Sequence, residues 1–228
     1  MRTLFAALGI MLLAHIGYAG ETTVLKTERE KISYGIGMDI GENMKRQSID
    51  IDPDILAQGM KDVFAGNKLL LTEEEFRNTM ENFKKDMMAK QKMQMQEISD
   101  NNKKEGEAFL AENKKKEGVI TLPSGLQYKI IKEGEGNPPK ETDTVTVHYR
   151  GTLIDGTEFD SSYSRGEPAT FPVKGVIPGW TEALQLMKPG STWQLFIPSN
   201  LAYGERGAGG KIGPNSTLVF DVELLSIK

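Results

Sequence analysis

The sequence predicts an α+β protein, with a helical first half and a second half that forms a sheet. Apolar residues recur at helical spacing in the first half, and residues 72–117 contain no proline and one glycine, Gly106. From Leu122 onward, short segments of alternating apolar and polar residues are separated by glycine and proline turn signals. Short antiparallel strands with one short helix indicate a twisted sheet wrapped on that helix.

Residues 1–19 have the pattern of a secretory signal peptide. A basic start precedes an apolar run at residues 4–16, and Gly17 and Ala19 place small residues at positions −3 and −1 of a cleavage site. An uncleaved membrane anchor is the alternative, but the run is shorter than the ~20 residues that span a bilayer. We therefore expect an exported protein whose mature chain begins at Gly20.

Composition and charge exclude several function classes. The chain has 28 Lys and Arg against 32 Asp and Glu, a formal charge of −4 that argues against binding nucleic acid. It has no cysteine, which excludes disulfides, thiol catalysis and thiolate metal sites. Of the two histidines, His15 lies in the predicted signal peptide and His148 stands alone, so no metal or cofactor is expected.

Residues 20–71 are predicted to form a helical module. In the first helix, over residues 27–47, an apolar ridge repeats every fourth residue: Ile32, Ile36, Ile40 and Met44. Gly35, Gly37 and Gly41 lie in the same helix, where each costs about 1 kcal/mol relative to alanine. Either another helix backbone packs closely against these glycines, or the helix is locally weak.

The second helix is predicted from Pro53, with Asp52 as N-cap, to Ala65, where Gly66 ends it. Its apolar residues are Ile55, Leu56, Met60, Val63 and Phe64. Two short helices this apolar expose more hydrophobic surface than one hairpin can cover. The sequence therefore predicts a partner subunit.

A long helix is predicted over residues 72–118, beginning with a capping box of Thr72 and Glu75 and ending at Gly118. At about 1.5 Å per residue its length is about 65–70 Å. Its apolar seam is Phe76, Met80, Phe83 and Met87. After Ile98 the residues are strongly charged, and we expect them to be solvated. The methionines between residues 80 and 95 favour helix packing or, alternatively, an adaptable client-binding face.

Residues 119–228 are predicted to form one sheet domain, in which a linker at residues 121–125 precedes the first strand. Strands are expected near residues 126–132, 145–150, 157–159, 169–173, 193–197 and 218–227, with a helix at residues 179–187. In residues 145–150 the apolar side chains Val145, Val147 and Tyr149 face one way, and Asp155-Gly156 is a tight-turn signal. The side chains of Tyr149, Phe159 and Asp160 therefore lie close together.

Four motifs in this half closely resemble the FKBP-type peptidyl-prolyl isomerases: VHYRGTLIDGTEFDSSYSRGEP, VIPGW, LAYGERG and TLVFDVELL. The stretch SYGIGMDIGENMKRQSIDIDPDILAQGMKDVFAGN resembles the dimerisation module of Mip-type FKBPs, in which the helices of two subunits interlock. The resemblance implies an isomerase of proline-containing unfolded or partly folded chains, dimeric through residues 24–98. It also implies a location in the periplasm, at the outer membrane or at the cell surface.

The resemblance further implies a binding slot with Trp180 as its floor. The walls would be Tyr149, Phe159, Phe171, Val176, Ile177, Tyr203, Ile212 and Phe220. The Ile177 amide and the Tyr203 hydroxyl would hold substrate carbonyls, and Asp160, paired with Arg165, would face the twisting amide. The expected catalytic residues are Tyr149, Phe159, Asp160 and Tyr203, and rapamycin-like macrolides are expected ligands.

From the residues alone, other interpretations of this site exist. Val176, Trp180 and Phe220 are suited to an ordinary hydrophobic core. Asp160 and Arg165 five residues later could form an exposed ion pair, worth about 0–1 kcal/mol. The ordered match across separated segments favours the pocket.

The flap, defined as residues 204–213, departs from the family pattern. Ala208 and Lys211 stand where the family often has an aromatic or imidazole side chain and an apolar one, and Ala169 is smaller than the residue common before Phe171. We expect a smaller and more cationic flap, and the preference for the residue before proline stays open. A phosphate-binding loop is rejected, because the glycine and hydroxyl positions that it requires hold Glu205 and Ile212.

Two functional classes remain. The first is a prolyl isomerase that assists the folding of exported proteins by non-covalent stabilisation of the twisted amide. The second is a dimeric chaperone or surface-binding protein in which isomerase activity is secondary. The pocket residues favour the first class, and the dimeric arms with a methionine-rich helix suit the second.

Overall fold

The computed structural model describes residues 24–228, so the predicted signal peptide lies outside the described part. The chain divides into two compact units, one ending at Thr72 and the other comprising Glu73–Lys228. The helices are α1 (Glu28–Arg46), α2 (Pro53–Ala65), α3 (Glu73–Asn113), α4 (Ser162–Arg165) and α5 (Pro178–Leu184). The strands are β1 (Val119–Thr121), β2 (Gln127–Lys132), β3 (Thr144–Leu153), β4 (Glu158–Ser161), β5 (Ala169–Pro172), β6 (Thr192–Ile197) and β7 (Leu218–Ile227). Within residues 24–228 no helix has both the length and the apolarity to cross a membrane.

The first two helices begin and end where local side chains satisfy their terminal backbone groups. Thr27 caps α1: its hydroxyl accepts from the Glu30 amide at 3.2 Å, and the Glu30 carboxylate accepts from the Thr27 amide at 2.9 Å. Asp52 caps α2 in the predicted way, and Gly66 ends that helix in the left-handed conformation, at φ 68°. The predicted bounds of both helices are confirmed to within one residue.

Much of the apolar surface of the helical region is exposed in the single chain. Ile32 on α1 is 61% exposed, and Phe76 at the start of α3 is 58% exposed. A Cβ added at Gly35, Gly37 or Gly41 would meet no atom of the described residues within 4 Å. No contact within residues 24–228 therefore accounts for these three glycines.

The end of α3 differs from the prediction in two ways. The helix ends at Asn113 rather than at Gly118. Its last part is not fully solvated, because one face packs on the sheet domain through residues at helical spacing: Ser99, Asn102, Gly106, Leu110 and Asn113. The prediction was wrong because this face consists mainly of small and amide side chains, which hydropathy does not distinguish from a solvated surface.

The sheet is antiparallel, with strand order β1-β2-β6-β7-β3-β4 and β5 paired to β3. The strand β1 was not predicted: residues 119 and 120 were given no element, and residue 121 was assigned to a linker. Helix α5 covers one face of the sheet with the fully buried Ala183 and Leu184. It approaches β6 so closely that a Cβ at Gly179 would lie 2.5 Å from Cγ2 of Ile197. The helix ends at Leu184 rather than at Met187.

The β3–β4 hairpin has the predicted alternation. Val145, Val147 and Tyr149 are buried, and Gly156 takes a left-handed φ of 87° in the turn. After β4, residues 162–165 form the one-turn helix α4, which was not predicted from the sequence; the Ser161 hydroxyl caps it by accepting from the Ser164 amide at 3.3 Å.

Candidate active site

A pocket of about 380 Å³ opens beside the start of α5. It is lined by Tyr149, Phe159, Asp160, Phe171, Gly175, Val176, Ile177, Trp180, Tyr203 and Phe220. Nine of these ten residues were singled out from the sequence, and the tenth is Gly175. Strands β3, β4, β5 and β7, helix α5, and the loops that hold Val176, Ile177 and Tyr203 thus bring the nine predicted residues together around one pocket.

Trp180 is the centre of an aromatic cluster. Its ring meets Tyr149, Phe171 and Phe220 at centroid distances of 5.3, 6.1 and 5.2 Å, with interplanar angles of 90°, 89° and 80°. These are edge-to-face contacts, which bring positive ring edges onto negative ring faces and hold each ring in one orientation. The cluster forms a rigid apolar surface in the pocket, and Trp180 itself is 3% exposed.

Gly151 allows two of the rings to approach each other over the sheet. A Cβ at this position would lie 2.6 Å from Cε1 of Phe220 and 2.7 Å from Cε2 of Phe159. The two rings meet edge-to-face, with centroids 5.5 Å apart. No role was predicted for Gly151, although a glycine inside an alternating strand is a signal of close approach.

A polar cluster lies at one side of the pocket. The Tyr149 hydroxyl donates to Oδ2 of Asp160 at 2.5 Å, and it accepts from Nη2 of Arg165 at 2.8 Å. Nη1 of Arg165 donates to Oδ1 of Asp160, which closes a ring of three side chains. The antiparallel pairing of Gly151 with Asp160 brings the carboxylate of β4 beside the tyrosine of β3.

This cluster determines the charge of each member. Burial raises the pKa of Tyr149, and the hydrogen bond to Asp160 raises it further. Burial also works to raise the pKa of Asp160, but hydrogen bonds from Tyr149 and Arg165 outweigh it and lower the pKa of this carboxyl. At neutral pH the tyrosine is therefore a neutral donor and the aspartate a charged carboxylate.

Two donors at the pocket are free to bind a ligand. The Tyr203 side chain is 40% exposed, and its hydroxyl makes no hydrogen bond within the described chain. Burial and the negative charge of Asp160 raise its pKa, so the hydroxyl keeps its proton. The carbonyl of Ile177 accepts from the amide of Trp180 at 2.9 Å, whereas no described residue accepts from the amide of Ile177.

Two predicted site residues do not line the pocket. The Arg165 guanidinium lies over the Tyr149 ring, 5.4 Å from its centroid, so it contacts Tyr149 and Asp160 rather than the open space. Ile212 is a buried member of the core and pairs with Ala208 inside the flap, with N–O distances of 3.0 and 2.9 Å. Gly175 was missed because it ends a short 3-10 turn that carries no distinctive pattern.

Comparisons with known proteins cover nearly all of the described chain. The family model for "FKBP-type peptidyl-prolyl cis-trans isomerase" matches residues 135–225, and that for "Domain amino terminal to FKBP-type peptidyl-prolyl isomerase" matches residues 29–130. The chain is 52% identical over 228 residues to the "Outer membrane protein MIP" of Legionella longbeachae, covering 100% of this chain and 98% of the relative.

Two further similarities agree with these matches. The "Peptidyl-prolyl cis-trans isomerase Mip" of Coxiella burnetii is 47% identical over 210 residues, which are 92% of this chain and 91% of the relative. The crystal structure of FkpA from Escherichia coli superposes with a TM-score of 0.74 at 40% identity, covering 90% of this chain and 99% of that one.

Proposed function

The chain belongs to the family of FKBP-type peptidyl-prolyl cis-trans isomerases, and on this premise we propose that the aromatic pocket holds the proline ring and stabilises the twisted X-Pro amide. The observation that carries the proposal is the combination of Trp180 and its edge-packed neighbours with free donors and one charged carboxylate. The aromatic surface around Trp180 suits an apolar proline ring, and the free donors of Tyr203 and Ile177 suit peptide carbonyls.

The chemistry of the reaction requires this kind of site. Rotation about an X-Pro bond faces a barrier of about 18–20 kcal/mol, because the amide must lose its resonance. No covalent bond is broken, so neither a nucleophile nor a proton transfer is needed. A site that binds the twisted amide better than the planar one accelerates the rotation, by tenfold for each ~1.4 kcal/mol of selective stabilisation.

Each side chain has a proposed part in that stabilisation. Trp180 supports the proline ring, and the Tyr203 hydroxyl and the Ile177 amide donate to carbonyls of the substrate. Asp160 faces the carbonyl carbon of the twisting bond. That carbon becomes more electron-poor when the nitrogen lone pair stops conjugating with it, so a nearby carboxylate stabilises the twisted form more than the planar form. Tyr149 and Arg165 keep the carboxylate charged and oriented.

The test is an isomerisation assay with short proline peptides on the mature protein and two charge-neutralising variants. Asp160→Asn should lower kcat/KM about tenfold, the equivalent of ~1.4 kcal/mol. Glu158→Gln is the matched control, since Glu158 lies on the same strand but binds Arg150 at 2.9 Å and does not line the pocket. Equal activity of Asp160→Asn and wild type, at equal melting temperatures, would show that the carboxylate has no catalytic part.

We place the substrates among exported proteins in the periplasm or at the cell surface, and we take the working form to be a homodimer through residues 24–98. The signal-peptide pattern supports export, the name of the Legionella longbeachae relative supports an envelope location, and exposed residues such as Ile32 and Phe76 support a partner subunit. Rapamycin-like macrolides would compete for the same pocket. Amino-terminal sequencing of the secreted form should begin at Gly20, and a retained Met1 in membranes would contradict export by cleavage.

A chaperone activity independent of isomerisation is the second candidate. It is favoured by the exposed apolar side chains on α3, of which Met88 and Met93 are 61% and 66% exposed. Methionine side chains adapt to varied apolar partners. Under this proposal, Asp160→Asn suppresses the aggregation of an unfolded protein without prolines as well as wild type does. A parallel loss of both activities would remove the second candidate.

A further inference from the structure

The two ends of the flap are tied to each other directly after Tyr203. The carbonyl of Gly204 accepts from the amide of Asn215 at 2.8 Å, so the residue that follows Tyr203 is bonded to the turn that follows the flap. Asn215 holds a left-handed φ of 55°, a conformation that asparagine tolerates better than most residues. A displacement of Asn215 would therefore also displace the backbone next to Tyr203.

Helix α3 holds this same segment with two side chains. Nδ2 of Asn215 donates to the Ser99 hydroxyl at 2.8 Å. Nδ2 of Asn102 donates to the carbonyl of Pro214 at 2.8 Å and to the Ser216 hydroxyl at 3.3 Å. Ser99 is 8% exposed, which makes its contact part of a packed interface.

The packing around these hydrogen bonds leaves little freedom. A Cβ at Gly213, the last flap residue, would lie 2.9 Å from Nδ2 of Asn102. One turn further along the helix, a Cβ at Gly106 would lie 2.3 Å from the hydroxyl oxygen of Thr217. The helix and the segment that leaves the flap thus meet at backbone distance, where a shift of one displaces the other.

We propose that Ser99 and Asn102 are positioning residues for the isomerase reaction, which act through Asn215 and Gly204 on Tyr203. The part of α3 from Ser99 to Asn113 then belongs functionally to the isomerase domain, although its charged outer face has the composition of a solvated connecting helix. The proposal rests on the proposed role of Tyr203 in binding a substrate carbonyl. A hydroxyl that donates to a carbonyl is effective only at the correct distance, so loosening the flap weakens transition-state binding.

The test compares three alanine variants of the full mature chain. Asn102→Ala and Ser99→Ala remove the tether, and Asn101→Ala is the matched control, since Asn101 is the adjacent asparagine on the exposed side of the helix. Amide hydrogen exchange within residues 204–213 should accelerate in the first two variants and not in the third. kcat/KM for a short proline peptide should fall about 3- to 10-fold in Asn102→Ala, as expected for one lost hydrogen bond.

The same substitutions in a Tyr203→Phe background separate this proposal from the proposed function. If Asn102 acts through the Tyr203 hydroxyl, Asn102→Ala should cause little further loss of kcat/KM in that background. A loss that is as large with phenylalanine as with tyrosine overturns the proposal, as does unchanged hydrogen exchange in both tether variants. Full activity of Tyr203→Phe alone would instead contradict the role of Tyr203, while the exchange result would still report on the tether.

Discussion

The side-chain amide of Asn113 donates to Oε1 of Gln127 at 3.0 Å, and this buried pair joins the end of the long helix to the second strand of the sheet. Nε2 of Gln127 in turn donates to the carbonyl of Leu110 at 2.9 Å. An aromatic contact lies in the same interface: the ring of Phe109 on the helix packs against that of Phe196 on β6, with centroids 6.0 Å apart. The helix end thus covers the face of the sheet opposite to α5.

A fragment that begins at Gly118 should consequently be less stable than one that begins at residue 95. The shorter fragment leaves Gln127 and Phe196 without their partners, which should lower the free energy of unfolding by about 2–4 kcal/mol. Thermal unfolding and sedimentation of both fragments check this, and we expect the longer one to be a folded monomer. Equal melting temperatures would show that the helix end is dispensable and would support the boundary at residue 119.

In the Tyr149→Phe variant, kcat/KM should begin to fall at a higher pH than in the wild type when the solution is acidified. Burial raises the pKa of Asp160, but the hydrogen bonds from Tyr149 and Arg165 lower it more, so activity that needs the carboxylate is lost only as pH falls through this depressed pKa. Removing one of those bonds raises the pKa and should move the acid limb of kcat/KM to higher pH. An acid limb that stays in place would show that Asp160 does not control it.

The depressed pKa of Asp160 also makes the stability of the fold depend on pH in the same direction, with a loss at low pH. A depressed pKa contributes stability at pH above the ordinary aspartate value of about 3.9, and this contribution is lost as pH falls through the folded-state pKa. Melting temperatures measured across the same pH range therefore separate acid unfolding of the Tyr149→Phe variant from titration of its active site.

Trp180→Ala and Tyr203→Phe should differ in what they disturb. Trp180 is buried under three rings, so its truncation should cost about 3–5 kcal/mol of stability as well as activity. The Tyr203 hydroxyl has no partner within the described residues, so Tyr203→Phe should leave the melting temperature unchanged and lower kcat/KM about 3- to 10-fold. A stability loss in Tyr203→Phe would indicate a structural role for the hydroxyl.

Gly37→Leu distinguishes the two interpretations of the glycines in α1. Close packing of a partner helix predicts that the added side chain shifts the protein from dimer to monomer in sedimentation, because none of residues 24–228 of the same chain occupies that space. A locally weak helix predicts instead an intact dimer with a more stable helix, by about 1 kcal/mol. Activity on short peptides should be unchanged in either case, since Gly37 lies outside the unit that contains the pocket.

The sequence prediction was correct for elements that are specified by residues close together in the chain. Asp52, Pro53 and Gly66 define α2 through caps that need only neighbouring backbone groups, and these predictions were confirmed at single-residue precision. The alternation of Val145, Val147 and Tyr149 likewise predicted which face of β3 is buried. The one-turn helix α4 was missed because its four residues have no periodicity to detect.

The sequence by itself determined the division into helical and sheet regions, the caps of α2, the turn at Gly156 and the set of aromatic residues that line the pocket. Only the tertiary structure decided that Ser99, Asn102, Gly106 and Asn113 form a docking face and that Arg165 and Ile212 do not line the pocket. The physical reason is that hydropathy and periodicity report apolar burial. A face of hydroxyl, amide and glycine residues packs through hydrogen bonds and close backbone approach, which exist only once the opposite surface is in place.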